Sequence, residues 1–301
     1  MENNLDVALA THSLSKSYGG VKRVDDVSMT VRRGEIYGLI GKNGAGKTTL
    51  MRLILGVASP ESGSIKIGGK SDSASLSAAR AKCGSLVEQP AFYPGLTAKD
   101  NLRAYALATG QTAAIDDLLS LVGLADCDKK RVRNFSLGMK QRLAIAMALV
   151  GDPDLLLLDE PVNGLDPTGI LQIRELLQRL NIERGTTILV SSHLLGELGR
   201  IATAYGVMRD GKLVAEMRGD ELTSLARPRI RAVVADREKA LASLKEHFRE
   251  EEFTLRGNTA EIFRTGADVA SVSAIFAAAN VPIMQISIAS GDLESAFIDL
   301  L

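Results

Sequence analysis

The stretch GKNGAGKTT, Gly41 to Thr49, follows the apolar run Ile36, Tyr37, Gly38, Leu39, Ile40 and precedes Leu50, Leu53, Ile54 and Leu55. A short apolar run, a glycine-rich turn and then apolar residues at helical spacing predict a strand, a loop and a helix in succession. Within that context Gly41, Gly46, Lys47 and Thr48 fit the P-loop pattern G-x-x-x-x-G-K-[ST]. Glycines let backbone N–H groups turn inward around an anion, and the N-terminal end of the following helix adds positive dipole at the same place. A polyphosphate fits such a nest, lined by Gly41, Lys42, Asn43, Gly44, Ala45, Gly46, Lys47, Thr48 and Thr49. Lys47 is expected to reach the outer phosphates as a point charge and Thr48 to help hold Mg²⁺ through its hydroxyl. An ordinary glycine-rich turn demands neither lysine nor threonine at those positions.

At 301 residues the chain has room for roughly two domains of about 150 each. Lys plus Arg and Asp plus Glu balance at 36 each, which argues against broad nucleic-acid or membrane-surface binding. Apolar stretches such as Leu155 to Leu158 are far shorter than the approximately 20 residues a membrane span needs. The start, MENNLDVALA, lacks a basic segment followed by a long apolar core, so a cytoplasmic protein is expected. Cys83 and Cys127 stand far apart with no C-x-x-C partner and read as reduced thiols.

Strand-like and helical patterns alternate from Val24 onward, the signature of α/β construction. A helical insert interrupts them, with Leu102, Tyr105 and Ala106, then Ile115, Leu118, Leu119 and Val122 at helical spacing, setting a helical subdomain at about 90–150. The α/β pattern then resumes with a helix at 138–150, a strand at 155–158, a helix at 170–182 and a strand at 187–190. Pro228 in LARPRI marks a boundary, dividing the chain into 1–225 and 226–301. The tail reads as strand, helix, two strands joined at Arg256, Gly257 and Asn258, helix and strand, with a last helix from Leu293 to Leu300. That order, βαββαβ, predicts a small ferredoxin-like α+β domain. It carries no catalytic cluster, and His247 reads as a surface residue.

LLLLDEP, Leu155 to Pro161, places two carboxylates at the end of a buried strand, where they are costly unless a cation or a proton-transfer role compensates them. Ligands of α/β sheets bind outside the carboxyl ends of the strands, which brings Asp159 and Glu160 beside the glycine-rich loop. Asp159 is expected to join Thr48 in the Mg²⁺ shell, and Glu160 to polarise the water that attacks the γ-phosphate.

With these motifs in hand, residues 1 to about 225 resemble the nucleotide-binding subunit of an ATP-binding cassette (ABC) transporter. The resemblance implies a P-loop ATPase fold, ATP and Mg²⁺ as ligands, and hydrolysis coupled to transport. It extends residue by residue. Tyr18, in SKSYGG, matches the aromatic that stacks on adenine; Asp166, in NGLDP, matches the D-loop aspartate that faces a second subunit; and His193, in SSHLL, matches the switch histidine. It makes Glu160, His193 and Lys47 the catalytic set.

Two departures narrow the resemblance. The signature L-S-G-G-Q appears as FSLGM, Phe135 to Met139, which keeps Ser136 and Gly138 to meet nucleotide bound by the other subunit. In LVEQPAFYPGLT, Glu88 takes the place of the glutamine that reaches Mg²⁺, with Gln89 the adjacent alternative. Both features resemble the bacitracin and lantibiotic self-protection exporters. The implied partners are a multispan permease and a second ATPase subunit, a homodimer in the complex, at the cytoplasmic side of the membrane and without nucleic acid. Phe92, Tyr93 and Leu96 would be the apolar contacts to the permease. A soluble ABC ATPase acting on ribosomes or DNA is the competing class, disfavoured by the lack of a coiled-coil insertion or basic arm. A regulatory cassette that binds without hydrolysing is disfavoured by Glu160 together with His193.

Overall fold

The computed structural model describes residues 6–88, 91–127, 129–193, 196, 201–219, 221, 229–263 and 266–289. The chain divides into two units between Gly219 and Asp220. The boundary inferred at Leu225 and the helix expected at 293–300 both lie outside the described residues.

The first unit is built on a six-stranded sheet in the spatial order β5 (Cys83–Leu86), β6 (Leu155–Leu158), β7 (Thr187–Ser192), β3 (Ile36–Ile40), β8 (Ala204–Arg209), β9 (Lys212–Arg218). All neighbours are parallel except β8 and β9, which pair antiparallel. Parallel strands are covered on both faces and so read as unbroken apolar runs. Every residue of β3, β6 and β7 is accordingly buried. A second, antiparallel sheet has the order β2 (Val21–Arg32), β1 (Val7–Tyr18), β4 (Ser62–Ile67).

Helix α1 (Lys47–Leu55) joins the two sheets. Its Leu50, Met51, Leu53 and Ile54 are buried in one cluster with Leu9, Val27 and Ile65 of the second sheet and Tyr37, Leu39 and Leu157 of the first. At roughly 1.5–3 kcal/mol per buried side chain, this packing fixes the helix that carries Lys47 and Thr48. Helix α2 (Ser73–Arg80) follows β4. The helical insert consists of α3 (Ala98–Thr109), α4 (Ile115–Leu121) and α5 (Leu137–Ala148), and α6 (Pro167–Arg184) lies between β6 and β7 in the chain. Thr97 caps α3 by accepting from the Asp100 N–H, and Gly110, at φ +66°, ends it.

The second unit contains β10 (Arg229–Val234), α7 (Arg237–His247), β11 (Phe253–Arg256), β12 (Thr259–Ile262), α8 (Val269–Ala278) and β13 (Ile283–Ala289). Its sheet has the order β11-β12-β10-β13, antiparallel throughout, which is the arrangement of a split βαβ sandwich. Ala232, Leu244, Ala260, Val272 and Phe276 are fully buried at its core.

Candidate nucleotide site

Four neighbouring parallel strands end on one edge of the large sheet, and each delivers a different piece of chemistry just past its last residue. In spatial order these are Glu88 after β5, Asp159 and Glu160 after β6, His193 after β7 and Gly41 after β3. Register explains their proximity: Leu86 pairs with Leu158, Leu158 with Val190, and Ser192 with Ile40.

The loop after β3 needs its glycines. A Cβ on Gly46 would strike the Arg23 carbonyl, and one on Gly41 would lie 2.5 Å from the Met208 carbonyl. Gly44 and Gly46 adopt φ +87° and +108°, a region that favours glycine. Lys47 is only 5% exposed. Its ammonium donates to the Gly41 carbonyl at 2.6 Å and the Lys42 carbonyl at 3.3 Å, and faces Glu160 Oε1 at 3.1 Å. Tyr18, Arg23, Arg52 and Glu160 join residues 43–49 in lining a cavity of about 410 Å³. The Tyr18 ring is half-exposed, with the Lys16 ammonium 5.4 Å from its centroid.

The acidic pair is divided in its bonding. Asp159 has both oxygens occupied: Oδ2 accepts from the Thr48 hydroxyl and Oδ1 from the Ser191 hydroxyl, each at 2.6 Å. Ser191 in turn accepts the Glu160 N–H at 2.9 Å. Glu160 stands at φ +48°, an uncommon conformation for a side-chain-bearing residue and one often found at functional positions. Its Oε2 lies 2.6 Å from His193 Nδ1, whereas its buried Oε1 has the Lys47 charge nearby but no hydrogen bond.

Glu88 is not joined to Thr48 or Asp159. Its carboxylate pairs with the guanidinium of Arg52 on α1 instead. It shares a cavity of about 700 Å³ with Phe92, Pro94, Asp159, Glu160 and Asn163. Phe92 is half-buried, while Tyr93 and Leu96 are 62% and 39% exposed. Ser136, Gly138 and Asp166 gather at a separate cavity of about 400 Å³ with Leu137, Gly164 and Thr168. Ser136 caps α5 by accepting the Met139 N–H, and Asp166 caps α6 by accepting the Gly169 N–H.

Sequence reasoning passed over Ser191, Arg23 and Arg52. Arg23 and Arg52, an arginine after the aromatic and another five residues past the lysine, were readable only as surface charge until the fold placed them at the cavity.

Residues 24–163 match the family described as ABC transporter. The bacitracin transport ATP-binding protein BcrA of Bacillus licheniformis is 37% identical over 300 residues, covering 99% of this chain and 98% of that one. The lantibiotic transport ATP-binding protein SrtF of Streptococcus pyogenes is 43% identical over 213 residues, covering 70% and 91%. A solved structure described as the ATP-binding subunit of an ABC transporter aligns with a TM-score of 0.63 at 32% identity, over 71% of this chain and 91% of that one. A phosphate-binding loop, an acidic pair at the neighbouring strand end and full-length likeness to transport ATP-binding proteins agree: the chain belongs to the ABC transporter ATP-binding proteins and is an ATP-binding ATPase subunit.

Proposed function

We propose that this subunit works as a pair of copies that power a separate multispan permease, exporting an antimicrobial peptide or a similar amphipathic compound from the cytoplasmic side of the membrane. The observation that carries this reading is the split of the site. The loop cavity with Tyr18 and Lys47 and the cavity with Ser136, Gly138 and Asp166 are separate on one chain. Each offers half of what a triphosphate needs, so two copies placed head to tail would complete two sites.

Mg²⁺ fits the loop side. Thr48 and Asp159 present hard oxygens 2.6 Å apart, and no cluster of three acidic, histidine or cysteine side chains exists among the described residues. A cation that keeps several waters and takes the rest of its shell from phosphates suits such a sparse donor set. Thr48 and Asp159 would hold it, and it would supply positive charge against the negative charge of the phosphates. Lys47 would leave the Gly41 and Lys42 carbonyls for the phosphates, Glu160 would accept the proton of the attacking water, and His193 would orient Glu160 and contact the γ-phosphate.

The export substrate rests on the printed names of BcrA and SrtF. No helix among the described residues is long and apolar enough to cross a membrane, which fits a subunit docked on a permease. Phe92, Tyr93 and Leu96 would meet the permease, and residues 226–301 would act as an accessory domain outside the ATP site. Co-expression with a multispan protein, should one be encoded beside this chain, tests the proposal. The pair should copurify in detergent with two ATPase subunits per complex and protect a sensitive host against a bacitracin-type peptide. Protection should disappear with Lys47→Ala and with Tyr93→Glu, the latter retaining ATP binding. Full protection by Lys47→Ala, or failure to copurify, would overturn the reading.

A further inference from the structure

Glu88 combines three observations. It is a non-glycine residue at φ +72°, an uncommon conformation kept only where the surroundings impose it. It lies between the ATP-side strand ends and the segment leading into α3. Its carboxylate rests on the guanidinium of Arg52, a residue that also lines the cavity around the phosphate-binding loop. Arg52 makes no other ion pair among the described residues. The partners are 37% and 57% exposed, and pairs of that exposure contribute little to fold stability. A weak pair beside a triphosphate site is poorly suited to bracing the fold and well suited to being exchanged.

We propose that Arg52 and Glu88 form a nucleotide-responsive latch: Arg52 holds the loop after β5 while the cavity is free of nucleotide, and bound ATP competes for the same guanidinium, releasing that loop. The triphosphate brings several negative charges into the cavity that Arg52 lines, against the single charge of Glu88. Glu88 is thus a positioning residue acting through Arg52, and the loop it releases connects directly to the helical insert. The inference deepens the reading of this cavity as the ATP site and rests on it.

The two roles open to Glu88 predict opposite signs. If Glu88 competes with phosphate for Arg52, Glu88→Gln frees the arginine and tightens ATP binding by up to about fivefold, the equivalent of about 1 kcal/mol, with Mg²⁺ or with EDTA. If Glu88 is a metal ligand, the same change weakens binding, and only when Mg²⁺ is present. The experiment is equilibrium binding of a fluorescent ATP analogue to the purified full chain and to Glu88→Gln, Arg52→Gln and the double variant, with and without Mg²⁺. Parental binding checks the site assignment itself. The latch requires that Arg52→Gln weaken binding and that Glu88→Gln then add nothing in the Arg52→Gln background. Additive effects of the two single substitutions, or weakening by Glu88→Gln confined to Mg²⁺, would overturn it.

Discussion

Replacing Glu160 by glutamine tests the division of labour within the acidic pair. Asp159 already spends both oxygens on the Thr48 and Ser191 hydroxyls, at 2.6 Å each, so a proton must go elsewhere. Glu160 Oε2 is held by His193, while Oε1 is buried without a hydrogen bond and faces only the Lys47 ammonium, so Glu160 is the residue proposed as base. General-base assistance contributes about 10²–10⁴-fold, and at about 1.36 kcal/mol per decade its loss raises the barrier by roughly 2.7–5.4 kcal/mol. Glutamine keeps the size of the side chain and removes the charge that Lys47 faces at 3.1 Å, leaving the ammonium freer for phosphate. ATP binding should therefore persist or tighten while hydrolysis falls by two to four orders of magnitude. Single-turnover hydrolysis with enzyme in excess, measured beside equilibrium ATP binding, separates the two effects. Hydrolysis within about threefold of the parent, with binding intact, would remove Glu160 as the base.

Gly206→Ala should lower stability by about 1–3 kcal/mol, because the new methyl would press on the hydroxyl of Tyr37, a buried ring whose O–H donates to Glu216 Oε1 at 2.7 Å. For a unit of this size that is a fall in Tm of several degrees by calorimetry, and an unchanged Tm would refute the clash. Burial pushes the Cys83 thiol up to about 11, so at pH 8 its thiolate fraction is about one in a thousand and its alkylation should run on the order of 100-fold slower than in the urea-unfolded chain. The rate should climb about tenfold per pH unit from 8 to 10; rates equal to those of the unfolded chain, followed by mass spectrometry, would contradict the burial.

The legible parts of the fold were those where local pattern and tertiary role coincide. Leu155 to Leu158 reads as a buried strand because a central parallel strand is apolar on both faces, and the structure has it at the same four residues. Val269 to Ala278 was likewise readable as a helix. β1 escaped because THSLSKSY is largely polar and its register shifts on either side of Leu14, with Ser13 at φ +46°, so no period of two survives. β5, β8, β9 and α2 were also passed over; β5 is four residues, CGSL, whose burial comes from β6 beside it rather than from its own composition. In the site, the glycine-rich loop and acidic pair were legible because phosphate chemistry demands those residue types at those spacings. Ser191 was not, since a serine ending a strand acquires meaning only when the neighbouring strand places a carboxylate 2.6 Å away.

The same distinction explains the two departures from the family motifs. Each replaces a residue by one that is larger or more charged, and taken alone each reads as a loss. In the fold each faces a residue that accommodates it. Leu137, where the signature has glycine, lies against Gly164 of the D-loop, where even a single methyl would come within 3.2 Å of its side chain. A leucine at 137 is therefore compatible with the close approach of signature and D-loop because position 164 has no side chain and, at φ +75°, favours none. Glu88, which with Gln89 is one of two candidates for the family's glutamine, adds a negative charge to the cavity it shares with Asp159 and Glu160, and Arg52 supplies the opposite charge from the helix that begins with Lys47. Position in a motif locates a side chain along the chain; what that side chain does depends on the residue across from it, 27 positions away for Leu137 and 36 for Glu88 when counted from the numbering.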